Sequence, residues 1–461
     1  MLDSSQIFDL FTRLKKHSSA DELELLVSGG RSALTRFANN TIHQNMAEEN
    51  YVLSVRSVYS GRTARATTNR FDDDSLRQVV QASEALARVQ EPDPDLLPVP
   101  DASADSPMTA PSRAFAETAA LGPRERAEAV GRMVAVATRQ NLTAAGIFAS
   151  SESVEAIVNS RGLSAWHAQT SAEISITMLA GDSSGWQKAN SPDVRNLDAA
   201  ALAETAARKA LDSARPVEAP PGKYTVILEP AAVLDLVGFM FFDWGGQAVL
   251  DERSFLTGRV GTRLFGDNIS IYDDAYHALQ SGAPFDGEGV RRQRVPLVEN
   301  GVIKRLVYAR GTAEKMKRSP FAQTVGPVEP TGHGLPLPND MGDMPVNIVF
   351  AGPEAGTAKT LSEMVATTER GVLVTRLWYI REVDPYEKIL TGMTRDGTFL
   401  IEGGRIGPGI RNFRFNQSLV HMLSNVLQMS EPVRASGEES FDMVVPAMKV
   451  AEFNFTEVTR F

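Results

Sequence analysis

The residues best able to bind a transition metal are six histidines, and they are scattered along the chain. No two of them lie within one helical turn of each other, and the chain has no cysteine. A catalytic zinc needs about three protein ligands, and two of these usually come from neighbouring turns of one helix. One zinc hypothesis remains, a site assembled from His277 and His333 with an aspartate. The histidines are His17, His43, His167, His277, His333 and His421.

A second candidate set consists of the acidic residues Asp273, Asp274, Asp286 and Glu288. Carboxylate oxygens at such spacing could bind a divalent cation. However, Asp286 is followed by Gly287, and an Asp-Gly pair is typical of a turn. The turn is the favoured interpretation, so the sequence assigns no metal to this chain.

Three arginines, Arg376, Arg411 and Arg414, stand in or beside predicted strands. Their guanidinium groups could bind a carboxylate. The favoured alternative is a solvated strand face, because most such charges lie on the surface. Together with His333, these arginines are the candidate substrate-binding residues, and no residue is assigned a catalytic role.

Two other kinds of site find no support in the sequence. Residues 352–360 (GPEAGTAKT) follow a predicted strand, but Thr357 and Ala358 separate Gly356 from Lys359, and a phosphate-binding P-loop needs Gly and Lys adjacent. The G-x-S-x-G turn of serine hydrolases is absent from the sequence. We therefore interpret 352–360 as a strand-to-helix turn with a helix cap.

The composition predicts an ordinary globular protein of two or three domains. The chain has 461 residues, of which 43% are hydrophobic, and a formal net charge of −10. This acidic balance disfavours direct nucleic-acid binding, and no apolar run is long enough to predict a membrane span. The N-terminal residues predict an amphipathic helix rather than a signal peptide. A cysteine-free chain of this kind is expected in the cytoplasm.

The first half of the chain predicts two α/β modules, at 1–95 and 114–218, joined by a Pro- and Asp-rich linker at 96–113. In the first module we predict strands at 22–27, 34–42, 51–58 and 63–68, then a helix at 72–88. In the second, a helix at 124–140 precedes strands at 146–157, 164–167 and 173–180 and a helix at 197–214. The repeated order suggests related modules.

Residues 222–461 predict a β-rich domain with a few packed helices, so the fold class is α+β. A strand at 224–228 leads into an apolar helix from Ala231. A hairpin spans 293–310 with Asn300-Gly301 at its tip, and Thr360 to Glu363 form a capping box for a helix ending near Gly371. The same reasoning predicts a turn at Asp396-Gly397 and a helix at 418–429. It also predicts strands at 346–351, 372–381, 398–402 and 410–415.

Several segments together resemble the TldD/PmbA family. They are 34–44 (LTRFANNTIHQ), 254–258 (SFLTG), 285–290 (FDGEGV), 297–302 (LVENGV), 331–334 (TGHG), 376–379 (RLWY) and 394–402 (TRDGTFLIE). The resemblance spans nearly the whole chain in the family's order. It implies two N-terminal α/β modules and a β-rich C-terminal domain, in agreement with the predicted boundaries.

The resemblance also implies a function. TldD-type subunits carry an HExxxH motif on the helix before the Ser-Phe-x-x-Gly segment, with a late cysteine ligand, and act as zinc peptidases on unfolded peptides. TldE-type subunits lack the motif and pair with TldD around a shared cavity. Here the matching segment, 234–243 (LDLVGFMFFD), has no histidine. The expectation is a non-catalytic TldE-like subunit that binds no cofactor itself, with zinc in a TldD-type partner.

The expected partners are a TldD-like subunit, or a second copy of the chain, and a peptide substrate. Two alternatives stay open. One is a peptide- or protein-binding modulator without proteolytic function, as the family's older description as a modulator of DNA gyrase suggests. The other is a hydrolase with its own metal-free site, built from residues such as His333, Asp286 and Arg414.

Overall fold

The computed structural model describes residues 1–102 and 111–459, so part of the predicted linker 96–113 lies outside the described residues. The strands of both predicted N-terminal modules form one antiparallel sheet in the order β3-β2-β1-β4-β5-β6. Its strands are β1 (Glu22–Ala38), β2 (Thr41–Tyr59), β3 (Arg62–Thr68), β4 (Thr143–Asn159), β5 (Ser164–Ala180) and β6 (Ser183–Ser191).

In the described part of this region five helices accompany the sheet, and four of them provide side chains to its two hydrophobic clusters. They are α1 (Ser4–Lys15), α2 (Asp73–Val89), α3 (Ala116–Ala119), α4 (Pro123–Arg139) and α5 (Ala199–Asp212). Phe148 and Val154 of β4 point into these clusters. Since side chains alternate along a strand, Ala149, Ser151 and Glu155 point to the opposite face. That opposite face is turned toward the C-terminal domain.

The longest strands differ in length from their predictions, because pairing with neighbouring strands of the sheet continues beyond the predicted ends. The predicted strand 34–42 is interrupted by a turn at Asn39 and Asn40, whose φ angles are 50° and 60°. The Asn40 side chain stabilises this turn, donating to Leu142 O and accepting from Ala144 N. The predicted strands 164–167 and 173–180 are parts of one strand, β5, and β6 was not predicted.

The C-terminal domain contains two further sheets. The smaller has the order β10-β9-β8-β11-β18-β17, and the larger β12-β7-β19-β15-β13-β14. Because β12 also pairs with β13, five strands of the larger sheet form a closed ring. The strands are β7 (Gly222–Leu228), β8 (Ile271–Asp273), β9 (Val295–Glu299), β10 (Val302–Ile303), β11 (Ile348–Phe350), β12 (Arg370–Asp384), β13 (Ile389–Glu402), β14 (Arg405–Gly409), β15 (Phe413–Ser418), β16 (Val426–Met429), β17 (Val433–Ala435), β18 (Met443–Val445) and β19 (Met448–Val458).

Short helices cover these sheets, and several predictions about them need correction. The apolar helix from Ala231 ends at Val237 and continues as a 3-10 turn, Gly238–Asp243. The predicted helix 418–429 ends at Ser424, because Val426–Met429 pairs with β19 instead. The helices are α6 (Pro230–Val237), α7 (Gly246–Leu250), α8 (Arg310–Lys317), α9 (Leu361–Ala366) and α10 (Leu419–Ser424).

Local predictions have mixed outcomes in this domain. The capping box at Thr360 and the turn at Asn300-Gly301 are confirmed. Helix α9 ends at Ala366, so Gly371 does not end it and lies within β12. Asp396 and Gly397 lie inside β13 rather than in a turn between strands. None of the helices within the described ranges has the length and apolar character needed to cross a bilayer.

Candidate functional site

The candidate site is a cavity of about 370 Å³ where β4 of the N-terminal sheet faces the C-terminal domain. Its volume falls in the range of about 300–1,000 Å³ that is typical of ligand pockets. Its lining combines charged, amide and apolar side chains. They include Glu155, Gln280, Arg292, Met344, Val346, Asn347, Phe441 and Asp442.

Packing between the two parts of the chain holds this cavity in shape. Ile157 and Leu163 of the sheet pack against Ala283 and Phe285. Beside this cluster, Arg113 donates to Gly282 O at 2.7 Å and to Ala275 O at 2.5 Å. Burial lowers the pKa of Arg113 to about 10, so it is still charged at neutral pH. The segment 280–283 is therefore fixed against the sheet at the edge of the cavity.

Glu155 is exposed, and unlike Asp442, the other acid of the cavity, its side chain makes no hydrogen bond or ion pair within the described residues. Burial by the surrounding protein raises the pKa of Glu155, and Arg292 opposes that rise. His167 lies directly opposite Glu155 on β5. Burial and the nearby Arg113 lower the pKa of His167 to about 4, so its ring is neutral at pH 7. Within the described residues, the His167 Nε2 atom is buried without a hydrogen-bond partner.

A second cavity, of about 260 Å³, lies further along the same face of β4. Ser32, Ser151 and Ser171 are aligned across three strands there. Glu173 borders it, and burial raises the pKa of Glu173 although Lys188 lies 3.4 Å away. Because Ser151 and Glu155 are both on the open face of β4, the two cavities belong to one surface.

His333, a predicted substrate-binding residue, is part of a buried polar network. Its side chain is fully inaccessible, and its Nε2 lies 3.0 Å from Asp273 Oδ1. Asp273 Oδ2 accepts the backbone N–H groups of Val346 and Asn347, each at 2.7 Å. Burial acts to raise the pKa of Asp273, but His333, Arg292 and the Asn347 N–H together outweigh it, so the pKa is lowered. Asp273 therefore anchors the loop before β11, and His333 lies against its other oxygen.

The hypothetical zinc site on His277 and His333 is not assembled. His277 Nδ1 accepts the Leu279 N–H at 3.2 Å, away from the Asp273 network. Across residues 1–102 and 111–459, no three His, Asp or Glu side chains converge in a way that could hold a metal.

Asp286 and Glu288 form a buried turn rather than a cation site. Asp286 accepts the backbone N–H groups of Glu288, Val290 and Gly334. Glu288 accepts the Arg310 N–H at 3.1 Å. Burial, followed by repulsion from Asp286, raises the pKa of Glu288 to about 7. Backbone N–H groups use both Asp286 oxygens and Glu288 Oε1, and Glu288 Oε2 lies 3.7 Å from Arg310 Nη1, in agreement with the turn interpretation.

The three predicted arginines lie in different environments. Arg376 is 6% exposed, donates to Asp396 Oδ2 from Nε at 2.7 Å and lies over the Trp186 ring. Arg411 is half exposed, 3.6 Å from Glu218, and lines a groove of about 320 Å³ beside Asp396. Arg414 is exposed on β15. None of the three lines the cavity at Glu155.

The segment where the resemblance places a zinc-binding helix does not fit a metal. Asp235 accepts the N–H groups of Glu438 and Glu439 at 3.1 and 2.9 Å. Burial raises the pKa of Asp235 to about 7. Asp243 pairs with Lys388, and burial raises its pKa to about 6. Without His or Cys, and with both acids engaged, the segment offers no ligand set.

Models of one protein family match most of the chain. The PmbA/TldA metallopeptidase domain 1 matches residues 23–87, the central domain 114–214 and the C-terminal domain 221–457. Among solved structures, TldE from Thermococcus kodakarensis has a TM-score of 0.83 at 20% identity, covering 98% of this chain and 100% of that one. A putative modulator of a DNA gyrase from Thermotoga maritima has a TM-score of 0.84 at 18% identity, with the same coverage. These two likenesses show the fold.

Named relatives extend the comparison. Metalloprotease PmbA of Escherichia coli O157:H7 is 21% identical over 455 residues, 94% of this chain and 92% of that protein. An archaeal metalloprotease from Methanothermobacter thermautotrophicus is 24% identical over 293 residues, 60% of this chain and 59% of that protein. The match to Uncharacterized protein MJ0231 of Methanocaldococcus jannaschii, 39% identical, spans 19% of this chain and 21% of that protein. The three family matches together show that the chain belongs to the TldD/PmbA family.

Proposed function

We propose that this chain is a non-catalytic, TldE-like subunit of a TldD-type zinc peptidase complex, and that it binds extended peptides. The observation that carries the proposal is the chemistry of segment 231–251. Its Asp235 and Asp243 are engaged by the backbone of residues 438–439 and by Lys388, and the segment has no histidine. A zinc that activates water needs about three ligands and an open position.

The cavity supports the peptide-binding part of the proposal. Met344, Val346 and Phe441 offer apolar contacts, while Gln280, Asn347 and Arg292 offer polar ones. Such a mixture suits a peptide, whose backbone needs hydrogen bonds while its side chains need apolar surface. The open face of β4 connects this cavity with the one beside Ser151.

A strand edge without a partner among the residues that the structure describes supports the subunit part of the proposal. Residues 41–50 of β2 are exposed, and β3 pairs with β2 only from Leu53 onward. The segment contains neither Lys nor Pro, residues that commonly protect free edges. A partner chain could add a strand at this edge through main-chain hydrogen bonds.

The metal-free hydrolase alternative finds little support in the geometry. His333 is 1% exposed and Asp286 is 4% exposed. Both side chains already contact polar groups of the protein; Asp286, for example, accepts the N–H of Gly334, the residue after His333. A substrate would have to unfold this region to reach them. The modulator alternative predicts peptide binding by the chain without any gain of peptidase activity on adding a partner.

The proposal is tested by the zinc content and peptidase activity of the purified chain, with and without a TldD-type subunit from the same source. We expect no stoichiometric zinc in the isolated chain and peptide cleavage only in the mixture. In the mixture, Ser151→Trp, which fills the 260 Å³ cavity, should lower cleavage at least about tenfold. Thr67→Trp, at an exposed position of β3, should leave it unchanged. Zinc or cleavage in the isolated chain would refute the non-catalytic role.

A further inference from the structure

The β2 edge, residues 44–50, is a strand edge that the protein leaves open. These residues pair with β1, and in the part of the chain that the structure describes no strand pairs with them on the other side. All of them are exposed. Closer to the tip, the register with β1 shifts at Arg36 and Phe37, so the edge is irregular there. The regular part, 44–50, is the part that another strand can reach.

The main-chain groups of this edge alternate in direction. Ser160 N–H donates to Leu23 O, so odd-numbered residues of β1 turn their main-chain groups toward β4. Even-numbered residues of β1 consequently bond to β2, where their partners are also even-numbered. Asn45, Ala47 and Glu49 are left with N–H and C=O groups directed to the open side. An added strand would bind these groups through main-chain hydrogen bonds.

A second copy of the same edge satisfies these groups. Two antiparallel strands related by a two-fold axis present identical donors and acceptors to each other, as in an isologous interface. A pairing centred on Met46 sets this side chain against its own copy. The charged residues of the edge, Glu48 and Glu49, then face Gln44 and His43, so no like charges meet. The edge therefore complements itself in hydrogen bonds, apolar contact and charge.

The position of Met46 connects this pairing with the cavity of about 260 Å³. Met46 lines the cavity and is 42% exposed at the edge. Leu34 lies opposite it on β1, and Ala149 lies opposite Leu34 on β4, so the three side chains form an apolar row on one face. When two edges pair, Met46 of the second copy continues this row. Each copy thereby adds a residue to the wall of the other's cavity.

We infer that, without another partner, two copies of this chain pair through their β2 edges, centred on Met46, and join their N-terminal sheets into one continuous sheet. The inference deepens the proposed function by naming the surface of association. It rests on that function only for the peptide that the joined cavities would receive. Self-association needs neither zinc nor a peptidase subunit, so it is tested separately.

Sedimentation velocity of the purified full chain at several concentrations measures the association. We expect a reversible species with twice the 50.0 kDa of one chain. Ala47→Pro removes one N–H from the edge of each copy and should weaken dimerisation at least about tenfold. Ala47→Ser keeps the N–H and should leave dimerisation unchanged. Circular dichroism checks that both variants are folded.

A charge exchange at Met46 tests the register without altering the backbone. Met46→Glu and Met46→Lys each set like charges opposite each other, so each variant alone should dimerise at least about tenfold more weakly than the wild type. Mixed in equal amounts, the two variants should form a dimer again, because glutamate then faces lysine.

Three results would each overturn the inference: a wild type that is monomeric at every concentration, a dimer that survives Ala47→Pro, or a mixture of the Met46 variants that stays monomeric. A monomeric wild type that supports cleavage with a TldD-type subunit would overturn it while leaving the proposed function in place.

Discussion

The buried network around His333 and the cavity around Glu155 contain similar residue types but differ in how their hydrogen bonds are made. Asp273 is fully buried, accepts two backbone N–H groups and lies against His333. Glu155 makes no such bond within residues 1–102 and 111–459. Asp273 is buried and needs partners within the protein, whereas Glu155 is exposed, so water or a ligand can reach its carboxylate. The comparison teaches that residue type alone does not identify a binding group.

The largest effect is expected from breaking the buried network. Asp273→Ala leaves two backbone N–H groups and His333 without their partner, so we expect a loss of about 3–5 kcal/mol in the free energy of unfolding. Urea denaturation at pH 7 measures it. Asp340→Ala, at an exposed position, should change stability by less than about 0.5 kcal/mol. A loss below about 1 kcal/mol for Asp273→Ala would contradict a structural role for this network.

An intermediate effect is expected from the second buried pair, through its pH dependence. The pKa of Glu288 is raised from 4.5 to about 7, so the folded state binds its proton more tightly than the unfolded state does. Its favourable contribution is complete below pH 4.5 and is lost as the pH rises through about 7.

Glu288→Gln should therefore flatten the stability profile between pH 5 and pH 8. Over that interval, we expect the free energy of unfolding of the variant to rise by about 2 kcal/mol relative to that of the wild type. Denaturation curves at several pH values provide the measurement, with Glu152→Gln as a control of the same chemistry. An unchanged slope in Glu288→Gln would show that this carboxyl is not held in its protonated form.

The smallest effect is expected at the exposed arginines. Arg414 lies on the surface, and Arg411 lies 3.6 Å from Glu218 with both side chains in solvent. Exposed ion pairs contribute little, so Arg411→Ala and Arg414→Ala should each change the free energy of unfolding by less than about 0.5 kcal/mol. Measuring the peptide affinity of the same two variants tests whether either arginine binds peptide. A clear loss of affinity in Arg411→Ala would make the groove beside Asp396 a second binding region.

Local sequence signals predicted the parts of the fold that are stabilised locally. The capping box at Thr360 and the hairpin tip at Asn300-Gly301 depend on neighbouring residues alone, and both are confirmed. Asp396 and Gly397 misled the prediction because their positive φ angles, 54° and 123°, are accommodated inside β13. Arg376 and Ser184 hold Asp396 there, from strands 20 and 212 residues away along the chain.

The candidate site was harder to predict because contacts between distant segments set which side chains are buried. His333 and Arg376 were singled out as binding residues, yet both are buried and engaged in polar contacts. Glu155 and Arg292, which line the cavity, were not singled out as binding residues. A single charge among the apolar residues Val154, Ala156 and Ile157 was the available signal, and it is weak because exposed strand faces commonly carry such charges.

The sequence by itself determined the family, the absence of cysteine and the absence of histidine from segment 231–251, since these depend on which residues are present and in what order. Only the tertiary structure decided which titratable groups are free to bind. Accessibility and hydrogen bonding are set by contacts between distant segments. Glu155 faces a cavity because residues 280–283 and 344–347 close over β4. Asp273 is unavailable because residues 333, 346 and 347 use its oxygens.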